Sequence, residues 1–356
     1  MASSVTVPKD VALPADAQDT VSSVSWSPTA NHVAAASWDG KVRVYDVAAD
    51  GSQARGLVMF NTGGGGRGAG GPVLSCDWVK DGTTLVAGGA DKNIHLLHAA
   101  TGQSTIIGTH DAPIRAVCRV DDDHHGSIIC SGSWDRTVKF WDIRQPGSST
   151  GGRPLGTLTC AERVYAMASA SRALVIATAD RHVHLVDLAH PTVFMRSIMS
   201  PLRHQTRAVA VAPDGKFWAA ASIEGRCAIS SVDEKESSTN FTFRCHRSQP
   251  EDTSTKTVKV FTVNDVQFHP AHPTTFTTAG SDGTFHFWDR VAHQRLRGYP
   301  AVGGAITTTA FNRDGSLFLY AVGYDWALGF AANSPEYPVR LMVHRVAEED
   351  VKGKKG

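Results

Sequence analysis

The stretch "GSWDRTVKFWD" occupies residues 132–142. From Thr137 onward its side chains alternate in character, the two-residue period of a β-strand. The Asp135-Arg136 pair just before reads as a tight turn. Strand packing therefore accounts for Trp141, but not for Trp134, which stands at the turn itself. A large indole is costly to leave in water at a turn, so its placement needs a reason.

The same pattern recurs along the chain, which is the signature of a repeat architecture. The turn acid of "SWDR" has counterparts at Asp39, Asp91, Asp180, Glu224, Asp282 and Asp325. Successive steps are 52, 44, 45, 44, 58 and 43 residues. The first long step contains the glycine-rich "NTGGGGRGAGG" (61–71), and the fifth contains "DEKESSTNFTFRCHRSQPEDTSTKT" (233–257). Each copy begins with an alternating run, such as "VSSVSW" (21–26) or "VNDVQF" (263–268). A turn follows, often Asp-Gly, then a strand of small residues such as "HVAAAS", then the turn acid and a third strand. Alternation broken by Asp-Gly turns specifies antiparallel hairpins. Three such strands and a less regular fourth, repeated seven times, predict an all-β, seven-bladed β-propeller.

The repeats set the boundaries: an N-terminal extension over 1–20, the propeller over 21–343 and a basic tail over 344–356. Ring closure removes the open edges of a linear array of sheets. Two segments are placed to close it, "DVAL" (10–13) and "VRLMV" (339–343), and the sequence does not choose between them.

The repeats resemble the WD-repeat (WD40) family, whose dipeptide stands at Tyr45-Asp46, Trp141-Asp142 and Trp288-Asp289. The resemblance implies a buried hydrogen-bonded set of His, hydroxyl, turn acid and Trp in each regular blade. Only the third repeat offers all four in sequence, as His110, Ser131, Asp135 and Trp141.

Composition limits the chemistry. Thirty-five basic residues face 34 acidic ones, a net charge of +1, so no global field draws in nucleic acid or an anionic membrane. The six cysteines (76, 118, 130, 160, 227 and 245) form no CxxC pair and read as reduced, buried small hydrophobes. No apolar run is long enough to span a membrane, and the N-terminus lacks the pattern of a secretory signal. The G-x-G-x-x-G match at 63–68 is followed by Pro72 and a strand, not by the helix a phosphate cradle requires. His182 and His184 share a strand face and His124–His125 follow three aspartates, but no further ligands stand at a metal-site spacing. No catalytic residue, metal or cofactor is expected.

The residue before the turn acid samples one face of the ring seven times: Trp38, Ala90, Trp134, Ala179, Ile223, Ser281 and Tyr324, with Trp326 two beyond. Trp, Tyr and Arg are the usual anchors of protein-binding surfaces. Arg136 and Arg226 follow turn acids, and guanidinium groups hold carboxylates in bidentate fashion. This face therefore suits an acidic, apolar peptide. Two bland readings stand beside it: each turn Trp folding down over a neighbouring blade, and Arg226 pairing locally with Glu224.

The strings "SIEGRCAI" (222–229), "NFTFRCHR" (240–247), "VNDVQFHP" (263–270), "GSDGTFHFWDR" (280–290) and "YDWALG" (324–329) narrow the resemblance, together with "CSGSWDRTVKFWDIR" (130–144). They are similar to the poly(A) RNA export factor family of the nuclear pore. The sister family, the mitotic checkpoint propellers that bind kinase scaffolds, shares the E-G-R turn and the F-x-C-H-R string. The resemblance implies binding of a short acidic segment, the GLEBS motif, of an FG nucleoporin, or of a checkpoint protein in the sister family. By position it assigns this role to Trp38, Trp134, Arg136, Glu224, Arg226, Tyr324 and Trp326. It implies a non-enzymatic, monomeric propeller within a heteromeric complex, located in the nucleus and at the pore with cytoplasmic shuttling.

A second surface is expected where "FTFRCHR" meets "DRVAHQRLRG". Phe243, Arg244, His246, Arg247, Arg290, Arg295 and Arg297 would form a basic rim with an aromatic, fit for single-stranded RNA. A solvated edge is the bland reading. The terminal "KGKKG" (352–356) reads as a solubilising tail.

Overall fold

The computed structural model describes residues 10–62, 71–120, 127–145, 152–248 and 257–352. Most of the glycine-rich stretch, His124, His125 and residues 353–356 lie outside these. Seven four-stranded antiparallel sheets stand in chain order, one per repeat, as blades of a propeller. The second strand of each blade is its most deeply buried: Thr84–Gly89, Ala173–Thr178, Phe217–Ser222, Thr275–Gly280 and Leu317–Val322 are buried along their whole length. Both faces of a blade pack on neighbours, so the period-two polarity of a one-sided sheet is lost there. Small residues let adjacent sheets approach. The apolar clusters accordingly bridge successive blades, as Trp218 of the fifth does with Leu185 and Val175 of the fourth.

Each innermost strand carries one irregularity of register near its start, at the same place in all seven blades. A bulge adds one residue to the strand and re-aims its side chain. The residues so placed are Ser22, Leu74, Arg115, Tyr165, Arg207, Asn264 and Thr307.

Both candidate closing segments belong to the seventh blade, in different positions. Arg340–Arg345 is its third strand, and Val11–Ala12 is the fourth, pairing with Val343 and Met342. Beyond this strand the N-terminal segment crosses to the first blade. There Arg43 donates to the Asp16 carbonyl at 2.9 Å and pairs with Asp39 at 2.7 Å. Leu13 fills the cluster shared by the two blades.

Residues 344–352 are folded onto the propeller rather than forming a free tail. His344 is buried between two carboxylates, 2.8 Å from Asp10 and 3.6 Å from Asp350. Asp350 lies in a short helix, Glu348–Val351, and accepts from Tyr299 of the sixth blade at 2.8 Å. Asp10 accepts from Tyr320 at 2.7 Å. One imidazole thus ties both ends of the chain to the last blade.

The predicted polar set is present in the third blade. His110 contacts Asp135 and Ser131, each at 2.8 Å, and Trp141 donates to the Ser131 hydroxyl at 2.8 Å. Burial alone would raise the Asp135 carboxyl, but hydrogen bonds from His110 and Thr137 hold it far below its ordinary value. A second complete set occurs in the sixth blade, contrary to expectation. His246 contacts Asp282 and Thr278 at 2.9 Å, and Trp288 donates to the Thr278 hydroxyl at 3.0 Å. Its histidine stands 36 residues before the turn acid, against 25 in the third blade. His246 lies within the fifth insertion, whose remainder lengthens the interval and hid the spacing.

Two outcomes follow for stability. Thr278→Val leaves the buried His246 and Trp288 nitrogens unpaired, and each orphaned group costs about 1–3 kcal/mol. Urea unfolding should show that loss. For His344, burial would lower the pKa, but the hydrogen bond with Asp10 and the nearby Asp350 carboxylate outweigh it and hold the value above the ordinary 6.5. A raised value means that this stabilisation is complete below pH 6.5 and is lost as pH rises through the folded-state value. The stability gap between the wild type and His344→Gln should therefore be larger at about pH 6 than at about pH 9. A gap independent of pH would contradict a charged clamp.

Candidate functional site

The turns that follow the second strands gather at one end of the channel. The backbone fixes them there: Trp134 N–H donates to the Pro113 carbonyl at 3.0 Å and Trp38 N–H to that of Thr20 at 2.9 Å. Of the seven predicted residues, Trp134 stands free, 39% exposed at the rim of the third blade. Trp38 is half-buried and stacks on Trp326, with ring centroids 4.7 Å apart and planes inclined by 25°. The first and last blades thus join in a paired-indole platform. Trp326 adopts a left-handed backbone, φ 64°, which turns its ring toward Trp38. Tyr324 is not a surface anchor: it is buried and donates its hydroxyl to the Gly329 carbonyl, supporting the loop beneath Trp326.

The charged residues also divide. Arg136 is exposed at a left-handed turn position, φ 71°. Arg226 is half-buried, 3.7 Å from Glu224. At that length and exposure the pair contributes little to stability, so the guanidinium can exchange partners. Glu224 serves the turn itself: it accepts from the Arg203 N–H at 3.1 Å, and its own carbonyl accepts from Arg247 at 2.9 Å. Gly225 between them has φ 62°, and a Cβ there would lie 2.8 Å from the Cys245 carbonyl oxygen. The E-G-R turn therefore requires glycine both for its backbone conformation and for its contact with the next segment.

Four residues of this end went unseen in the sequence. Leu328 and Phe330 follow Trp326 and are 79% and 84% exposed, the most exposed large apolar side chains among the described residues. They sit in a loop and at the start of a single 3-10 turn, Phe330–Ala332, too short for a period to betray them. Arg115 and Arg207 occupy bulge positions and face the channel, which a regular strand register would not predict.

The expected basic rim is only partly assembled. Phe243 packs on Trp288, centroids 4.7 Å apart. His246 is buried in the sixth-blade polar set, and Arg247 reaches to the Glu224 carbonyl. Arg290 lies over the Phe217 ring at 3.7 Å and donates to the Pro273 carbonyl. Arg297 is bound to Glu349 and Asp350 of the C-terminal helix. Arg244 and Arg295 remain exposed beside a recess of about 280 Å3 that His286 and Trp288 also line. Burial, with His246 and Arg295 nearby, drives the His286 pKa down to about 4, so this ring brings no charge at neutral pH.

Among the described residues no group of three or more His, Cys, Asp or Glu side chains is arranged to hold a metal. His184 instead bonds Ser197 at 2.8 Å and stacks on Phe194. No helix among the described residues is long and apolar enough to cross a membrane. All six cysteines are free and buried.

The WD domain, G-beta repeat model matches residues 12–46, 66–97, 102–142 and 254–289. The chain is 46% identical over 348 residues to the WD40 repeat protein poxJ of Penicillium oxalicum, covering 97% of this chain and 96% of that protein. It is 44% identical to the mRNA export factor GLE2 of Chaetomium thermophilum, covering 96% and 92%. The Poly(A)+ RNA export protein of Schizosaccharomyces pombe is 42% identical, covering 97% and 92%. Mitotic checkpoint protein BUB3.1 of Arabidopsis thaliana is a more distant relative, 34% identical with 94% and 92% covered.

The geometry separates the two indoles at these turns by role. Trp134→Ala should change stability by no more than about 0.5 kcal/mol, as for other exposed sites. Trp38→Ala, which dismantles a ring stack between the first and last blades, should cost on the order of 1–2 kcal/mol. Urea unfolding followed by circular dichroism distinguishes the two.

Proposed function

This chain belongs to the WD-repeat family of poly(A)+ RNA export factors, and from that premise we propose that it is a non-enzymatic adaptor in mRNA export. Its turn-bearing face receives the GLEBS segment of an FG nucleoporin at the nuclear pore, and the protein shuttles between nucleus and cytoplasm as part of a heteromeric complex. The observation that carries this reading is the exposed Trp134 across the channel end from the Trp38–Trp326 platform, with Leu328 and Phe330 beside it. Apolar residues of the segment pack on these, and its glutamates meet Arg136 and Arg226. Such a segment is disordered when free, so binding includes an ordering cost, and affinity rests on few anchors. Glu224 and Tyr324 support the site from below rather than touch the segment.

The BUB3.1 relationship and the shared E-G-R turn favour one second reading, in which the same face takes the equivalent segment of a checkpoint kinase or scaffold. Affinity purification of the full chain separates the two by the identity of the bound segment. In either case Arg226→Glu should abolish binding of a GLEBS peptide while the melting curve stays unchanged, and Trp134→Ala should weaken it about ten-fold or more. Undiminished binding of both variants would remove this face from the interaction.

Single-stranded RNA is assigned to the remaining rim, with phosphates at Arg244 and Arg295. Replacing either with alanine should lower the slope of log affinity against log salt by about one. Affinity insensitive to salt in the wild type would contradict phosphate contacts.

A further inference from the structure

The seven bulge residues converge on the channel at the turn-bearing end, and six of them line a cavity of about 370 Å3. Most of their polar groups are committed to the ring. Ser22 donates to the Val73 carbonyl and Thr307 to that of Val21 at 2.7 Å. Asn264 donates to Asp325 at 2.7 Å and to the Ile306 carbonyl at 2.9 Å. The two arginines differ. Among the described residues Arg115 has no hydrogen-bond or close ion-pair partner, and Arg207 has one long bond, 3.3 Å to the Asp325 carbonyl.

Both side chains are half-buried, and each guanidinium is a fork of five N–H donors. Burial, aided by the charge of Arg207, lowers the Arg115 pKa to about 10, which still leaves it fully charged at neutral pH. Asp265 in the same cavity does not neutralise them by contact. It accepts instead from the Thr309 N–H at 2.6 Å, the Thr309 hydroxyl at 3.0 Å and the Val266 N–H at 2.8 Å. Burial pushes its own pKa up to about 6. Two like charges thus share one mouth, with the Arg115 donors unmatched and Arg207 held by a single long bond.

We propose that this mouth is a binding site for a small phosphate-class anion, bridged between Arg115 and Arg207. A carboxylate offers two oxygens, enough for one fork. A phosphate dianion offers acceptors to both and is attracted by both guanidinium charges. The cavity falls within the usual range of small-molecule sites. This site lies inside the ring, beneath the face assigned to the acidic segment, and does not depend on that assignment. Its occupant reduces the positive charge under that face, so free phosphate weakens the docking of any acidic segment there.

Isothermal titration of the full chain with inorganic pyrophosphate and orthophosphate, at fixed ionic strength, tests the site. Acetate and chloride serve as controls. The expected result is one-to-one binding of both phosphates, weakened roughly ten-fold or more in Arg115→Met and in Arg207→Met, with Trp134→Ala unchanged. Should either methionine variant melt early, Arg115→Lys and Arg207→Lys keep the charge but lose the fork, and weaker binding in them carries the same meaning. Absence of heat with pyrophosphate overturns the proposal. So does equal affinity in the wild type and the arginine variants, or acetate binding as tightly as orthophosphate. Loss of GLEBS binding with intact phosphate binding would count against the adaptor reading alone.

Discussion

A ring of sheets is stable only if its first and last members meet, and here the chain is carried from one to the other through one short antiparallel pairing. Val11 and Ala12 supply the fourth strand of the seventh blade, and Asp16, six residues after Asp10, is already bound to Arg43 in the first. A few residues therefore span the seam. The pairing is short, and polar clamps reinforce it: His344 between Asp10 and Asp350, and Arg43 between Asp16 and Asp39. In each clamp the central group, His344 or Arg43, is buried, so it is stabilising only while its carboxylate partners stay in place. The C-terminal helix matters for the same reason, since it brings Asp350 to the imidazole.

With the ring closed, every sheet is confined between two neighbours. That confinement explains the small residues of the second strands and the interior position of nearly every regular aromatic. It also explains why polar anchors recur. The sets around Ser131 and Thr278 hold a turn, two strands and the preceding loop through one hydroxyl each. Other blades substitute simpler pairs, such as Asp91 with His95 at 2.6 Å or Asp180 with His182 at 2.9 Å. The turn acid is kept as an anchor while its partner varies.

The functional end inherits its geometry from these constraints. Turns anchored at fixed height present whatever residue precedes the acid, so Trp134 is displayed without needing support of its own. Trp38 and Trp326 stack because the seam brings the first and last blades together. The same regularity governs the channel, where seven equivalent bulges recur and six of their residues line one cavity. The two arginines among them are brought to one cavity by the ring, Arg115 without a side-chain partner and Arg207 with a single long bond.

The sequence by itself determined the architecture. A two-residue period, Asp-Gly turns and an acid recurring about every 44 residues leave no other economical arrangement of this chain. It also marked Trp134 as unexplained by packing, because that inference needs only the position of a turn. Other features are legible only in three dimensions, because they depend on contacts between residues far apart in the chain. His246 reads as a basic-rim residue in "FRCHR" and is a buried anchor, since the fifth insertion conceals its distance from Asp282. Arg297 and Arg290 read as free charges and are taken up by the C-terminal helix and by Phe217. Closure resisted a choice between two segments because both are used, as adjacent strands. Arg115 and Arg207 stand in unremarkable strands of sequence, and only the bulge and the curvature of the ring bring their charges to one mouth.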